Sequence, residues 1–139
     1  MSVLRLALVE LTSGEDVNTN ADQILTVLKA LQTPVDLICL PENSLFFRIS
    51  KKNPVQEVAL NNPALLKLQK FVDASDAAMM VGSVPFREGE HIYNATVFLK
   101  PGALPSVPYR KLHLFDVDVP GAPPSRESET FRHGSTSSI

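Results

Sequence analysis

Apolar and polar positions follow two different periods along this chain, and the switches between them mark out its elements. Residues 3–10, VLRLALVE, form a short run rich in Val and Leu that reads as a buried strand, central to a sheet. Turn and cap formers follow in TSGEDVNTN. Within 21–31, Ile24, Leu25, Leu28 and Leu31 then recur at helical spacing, which predicts a helix there. Asn18, Thr19 or Asn20 would cap it, with Asp22 in its first turn. Thr33-Pro34 ends the helix, and 35–40, VDLICL, is a second apolar strand. Strand, helix and strand in quick succession make a βαβ-like unit, which favours an α/β layer architecture.

The next stretch, 41–62, has no period. It carries Phe46 and Phe47 beside the basic residues Arg48, Lys51 and Lys52. A long loop directly after a strand end is where α/β folds put their chemistry. Residues 63–77 return to helical spacing, with Pro63 at the first helical position and Leu65, Leu66, Leu68, Phe71 and Val72 as the core face. A third strand is predicted at 78–84 and a fourth at 91–99, joined as a hairpin through a short polar connection with Gly89. Residues 106–115, SVPYRKLHLF, read as an extended piece leaving the sheet. From 116 to 139 the chain reads as irregular or disordered.

Composition narrows this further. The chain has 139 residues, 44% hydrophobic and 20% charged, enough for one core and unlike a disordered tail. A net charge of −2 with dispersed basic residues excludes an electrostatic footprint for nucleic acid or an anionic membrane. No apolar run approaches the roughly 20 residues of a membrane span. The N-terminal run holds Arg5 and passes into acids, so it reads as a strand and not as a targeting segment. The single cysteine, Cys39, leaves no intrachain disulfide and points to the cytoplasm, a mitochondrial location being the alternative.

Candidate chemistry is sparse. Cys39 lies inside an apolar strand, the setting of an inert, buried thiol. No serine sits in a G-x-S-x-G turn, and His91, His113 and His133 have neither a nucleophile partner nor metal-ligand spacing. Asn94-Ala95-Thr96 fits a glycosylation pattern, but within a strand and without a secretory signal it carries no weight. Glu42 closes the second strand. There it is either an exposed loop acid or a carboxylate in the crevice outside the sheet. Lys111, in an apolar extended piece, either snorkels outward or pairs with an acid. Glu127 and Glu129 lie in a polar loop and by themselves read as solvated.

Four segments in series change this reading: LPEN at 40–43, GSVPF at 82–86, YRKLHLFDVDVPG at 109–121 and RESETFRHG at 126–134. In this order and with these gaps they resemble the N-terminal half of the nitrilase superfamily of carbon–nitrogen hydrolases, over essentially the whole chain. KLHLFDVDVPG is most similar to the branch of ω-amidases and deaminated-glutathione amidases. The resemblance implies about the first half of an α-β-β-α sandwich, roughly five strands and two helices in one partial domain. It implies hydrolysis of a small carboxylate-bearing amide through a thioester, with no metal or organic cofactor, in a homo-oligomeric full-length protein. Glu42 would then be the general base, Lys111 the oxyanion stabiliser and Glu127 the assisting acid, with Glu129 the poorer match in the same loop. The family usually has Pro where this chain has His133. Its nucleophilic Cys follows one strand later, in a segment resembling G-x-x-I-C-Y-D that is absent from these 139 residues, and Cys39 matches it in neither position nor context. The chain is thus expected to be truncated before the nucleophile and inactive alone. The alternative is a short form acting as a subunit-pairing module.

Overall fold

The predicted βαβ unit is realised and then repeated. In the computed structural model, which describes residues 3–135, the elements run β1 (Leu6–Leu8), α1 (Val17–Lys29), β2 (Leu37–Cys39), α2 (Pro63–Asp73), β3 (Ala78–Glu88), β4 (His91–Leu99) and β5 (Ser106–Arg110). β1 to β5 form one sheet in sequence order. β1, β2 and β3 are parallel, and β3–β4 and β4–β5 are antiparallel. A small ribbon of β6 (Asp116–Val117) and β7 (Ser125–Arg126) and a single turn of 3-10 helix, Glu127–Glu129, follow.

Both helices lay their apolar faces on one side of the sheet. Ile24 and Leu28 of α1, Leu65, Leu68 and Val72 of α2, and Ile38, Met79, Val81, Val97 and Leu99 from the strands are all buried in one core. At about 25 cal/mol per Å² of apolar surface removed from water, this face supplies the main driving force for folding. Among the described residues no helix covers the opposite face, where Leu6 is 49% exposed, Leu8 76%, Met80 37% and Tyr109 38%. No helix among the described residues is long and apolar enough to cross a membrane.

Several elements differ from their predicted form. β1 is three residues long and lies at the edge of this sheet, not at its centre, because β2 is its one strand partner among the described residues. α1 starts at Val17, four residues earlier than the apolar spacing suggests. Its cap is Asp16, whose carboxylate accepts the Thr19 N–H at 2.7 Å. Asn18, Thr19 and Asn20 therefore lie inside the helix, and the Asn20 amide is turned into the core. α2 ends at Asp73, where Ala74 caps it. β3 runs on to Glu88, leaving Gly89 and Glu90 as a two-residue hairpin turn. Ser106–Arg110 does not leave the sheet but pairs with β4 as its fifth strand. Beyond 116 the described residues include the β6–β7 ribbon, tied by Arg126 to Asp118 at 2.6 Å and by the Ser128 hydroxyl to Asp116 at 2.6 Å. Residues 136–139 lie outside the described ones. Cys39, expected to be buried, is only half covered: its register partners are the exposed Leu8 and Met80, on the face without helices.

Candidate functional site

Glu42 follows β2 and the rigid Pro41, and reaches its place by crossing over β3. The crossing is sterically possible only because residue 82 is glycine. A Cβ there would fall under 3.0 Å from the Leu40 carbonyl oxygen and 3.1 Å from the Pro41 carbonyl. At the same point β3 bulges, its register with β4 shifting between Val81 and Val84. The two non-glycine residues with positive φ among those described, Asn43 (57°) and Ser83 (42°), face each other here, and the Asn43 N–H donates to Ser83 Oγ at 2.9 Å. Backbone held in this sparsely populated region is strain stored at one spot, beside Glu42.

The loop after Glu42 is pinned from below. The buried Asn20 amide accepts from the Gly14 N–H at 2.9 Å and donates to the carbonyls of Gly14 and Leu45 at 2.8 Å each. The Glu15 carboxylate accepts from the N–H groups of Ile49 and Ser50 and from the Asn53 amide. These bonds to its charged form hold its pKa below the usual carboxylate value. Leu45, Phe46 and Val58 anchor the loop in the core.

Lys111 is the first residue after β5. Its N–H donates to the Asn94 carbonyl at 2.7 Å, and its own carbonyl accepts the Gly134 N–H at 2.9 Å. Gly134 is as tightly placed as Gly82, since a Cβ there would lie 2.8 Å from the Arg110 carbonyl carbon. Residues 112–133 thus form a loop closed onto Lys111 at both ends. Within it the Glu127 carboxylate accepts the Phe115 N–H at 2.6 Å.

These supports converge. Lys111 Nζ lies 3.0 Å from Glu42 Oε1 and 3.0 Å from Glu127 Oε2. The Lys111 and Glu127 side chains are 24% and 22% exposed, and that of Glu42 is 54% exposed. Burial disfavours charge on Lys111, but hydrogen bonds and Coulomb attraction from the two carboxylates outweigh it and raise its pKa above the ordinary lysine value. One ammonium therefore stands between a well-anchored carboxylate and a more open one, at the edge of the uncovered sheet face. Glu129, two residues from Glu127, is exposed and has no ion pair among the described residues.

The other candidates fall away from this centre. Arg48 turns back on the carbonyls of Asn53 and Lys51, Lys51 donates to the Pro124 carbonyl at 2.9 Å, and Lys52 is exposed. His91 packs edge-on against Tyr93, His113 is exposed, and His133 Nδ1 lies 2.9 Å from the Leu112 carbonyl. No group of His, Cys, Asp and Glu among the described residues is arranged to hold a metal ion. Beside Glu127 a cavity of about 250 Å³ opens between the two loops, lined by Phe46, Phe47, Phe115 and Phe131, with Arg48 and Lys51 at its wall.

In the sequence Asn94 carries only a glycosylation pattern. It is 3% exposed, which closes it to modification, and its Nδ2 donates to Glu42 Oε1 at 3.3 Å. The available signal was an Asn in the middle of HIYNATVFL, since Asn is depleted in strands unless something holds its side chain.

Comparison with known proteins gives a consistent picture. The carbon-nitrogen hydrolase family model matches residues 5–139. A hydrolase of Schizosaccharomyces pombe is 29% identical over 94% of this chain and 41% of its own length, and the omega-amidase NIT2 of Bos taurus is 29% identical over 100% of this chain and 51% of its own. The chain spans about half the length of the curated relatives it matches. Among solved structures, a CN-hydrolase superfamily protein of Xanthomonas campestris superposes with a TM-score of 0.71 at 26% identity, covering 83% of this chain and 43% of that one. The NitFhit protein of C. elegans superposes with a TM-score of 0.74 at 21% identity, covering 97% and 34%.

Proposed function

Because this chain belongs to the carbon-nitrogen hydrolase family, we propose that Glu42, Lys111 and Glu127 are three parts of an amide-hydrolysing centre whose nucleophilic cysteine the 139 residues do not supply. The observation that carries this reading is the Lys111 ammonium held 3.0 Å from each of two carboxylates that are distant in sequence. The anchoring of the two acids divides their roles. Glu127 is locked by the Phe115 N–H and Lys111, which suits an acid that holds the lysine in place. Glu42 is 54% exposed and lies within reach of solvent and of a bound molecule, which suits the general base. It would take the proton of a cysteine thiol as the thiolate attacks the amide carbon, pass that proton to the departing ammonia, and then activate water against the thioester. Lys111 would stabilise the tetrahedral oxyanion, a role worth about 3–4 kcal/mol per donor in such sites.

The substrate class is a small amide carrying a carboxylate. The name of the NIT2 relatives and the small cavity beside Glu127 support it. Ammonia release from such amides tests the proposal, comparing the 139-residue chain with the longest product of its gene. The longer product is expected to be active and to lose about 10²-fold or more in kcat on Lys111→Met, while the 139-residue chain stays inactive. Steady turnover by the 139-residue chain, abolished by Cys39→Ala, would refute the assignment and promote Cys39.

A further inference from the structure

Four polar side chains are buried among the described residues, Asn20, Ser44, Gln69 and Asn94, and of these Asn94 touches Glu42. It sits on β4 opposite Pro85, one position before the Ala95–Arg110 pair. Its side-chain Nδ2 donates to Glu42 Oε1 at 3.3 Å, and its main-chain carbonyl accepts the Lys111 N–H at 2.7 Å. Its own Oδ1 is buried with no partner. An orphaned buried carbonyl is costly, and native proteins rarely carry one. The amide orientation follows from its neighbour, because only the NH₂ end can face a carboxylate.

We infer that Asn94 is a positioning residue of this centre: it holds the Glu42 carboxylate against the Lys111 ammonium by its side chain while holding Lys111 itself by its main chain. The inference rests on the reading of Glu42 and Lys111 proposed above. Glu42 has a long side chain that is 54% exposed. Its carboxylate is tied to Asn94 and Lys111 alone among the described residues. Without the Asn94 donor the carboxylate gains rotamers in water, and Lys111 keeps only Glu127 as a close partner.

The test reads the ionisation of Lys111 in the intact 139-residue chain. Lysines are labelled with an acetylating reagent across a pH series, and each site is quantified by peptide mass spectrometry. Lys67, paired with Asp22 on the helix side, serves as the internal reference. Asn94→Leu is expected to lower the Lys111 labelling midpoint by about half a pH unit, a roughly threefold change in free amine at fixed pH, with Lys67 unmoved. The isosteric Asn94→Asp adds negative charge at the same place and is expected to raise it. If Asn94→Leu does not fold, Asn94→Asp decides alone. A midpoint unmoved by either variant, or moved in the same direction by both, overturns the inference. Glu42→Gln separates this from the underlying reading. If Glu42→Gln leaves the Lys111 midpoint unchanged, the ion pair itself is refuted; if it lowers the midpoint while Asn94→Leu does not, only the role of Asn94 falls.

Discussion

Replacing Gly82 by alanine isolates the contact that lets Glu42 cross β3. The added Cβ would lie under 3.0 Å from the Leu40 carbonyl oxygen and 3.1 Å from the carbonyl carbon and oxygen of Pro41. All three are backbone atoms, so no side chain can swing aside, and β2 must move away from β3 by several tenths of an ångström. That movement strains the last interstrand bond, Leu40 N–H to the Met80 carbonyl at 2.9 Å. Overpacking of this kind costs about 1–3 kcal/mol, to which a weakened hydrogen bond adds up to about 1 kcal/mol. With a urea dependence of about 1–3 kcal/mol per molar, a loss near 2 kcal/mol lowers the unfolding midpoint by about 1 M. Gly14→Ala is the control. Nothing lies within 4 Å of a Cβ there, and its φ is outside the left-handed region, so that variant should match or slightly exceed the wild type. Urea unfolding followed by circular dichroism measures both. A Gly82→Ala midpoint equal to that of Gly14→Ala would refute the close-approach argument.

Asn20→Ala removes three hydrogen bonds from beneath the 41–62 loop and orphans the Leu45 carbonyl in the core. It should destabilise the chain by about 2–3 kcal/mol, read from the same denaturation curves, and a loss under about 0.5 kcal/mol would contradict the clamp. Hydrogen bonds from Ser128, first from its hydroxyl, hold the Asp116 pKa below the usual carboxylate value. A depressed native pKa stabilises above the unfolded value of about 3.9 and loses that contribution as pH falls through the native value. Proteolysis within 116–127 should therefore quicken below about pH 4, and Asp116→Asn should make that cleavage faster at neutral pH, with a smaller further increase in acid. The uncovered sheet face predicts dye binding or self-association, reduced by Leu8→Gln together with Met80→Gln. A monodisperse chain that binds no dye would mean this face is covered in solution.

What the chain's local pattern determined is the set of elements that can be read within one window. The apolar stripes of α1 and α2, Pro63 at the start of α2, the break at Pro34 and the β3–β4 hairpin follow from neighbours three or four apart or two strands joined by a turn. The pattern could not say that β1 lies at the edge or that Ser106–Arg110 joins β4, because a strand's place depends on the partner it meets. Nor could the start of α1 be read from apolar spacing, since Asp16 competes as cap with three neighbouring polar residues and the Asn20 amide is claimed by the loop. The series LPEN, GSVPF, YRK and RESETF made the centre legible only as a resemblance. No spacing rule joins Glu42 to Lys111 across 69 positions. Tertiary structure decided that meeting through three nonlocal contacts: a glycine that lets β2's extension cross β3, a strand whose Asn94 faces both partners, and a loop closed by Gly134 on Lys111. Each depends on backbone pieces brought together by burying the helix-covered core, a quantity summed over the whole chain and invisible in any one segment of it.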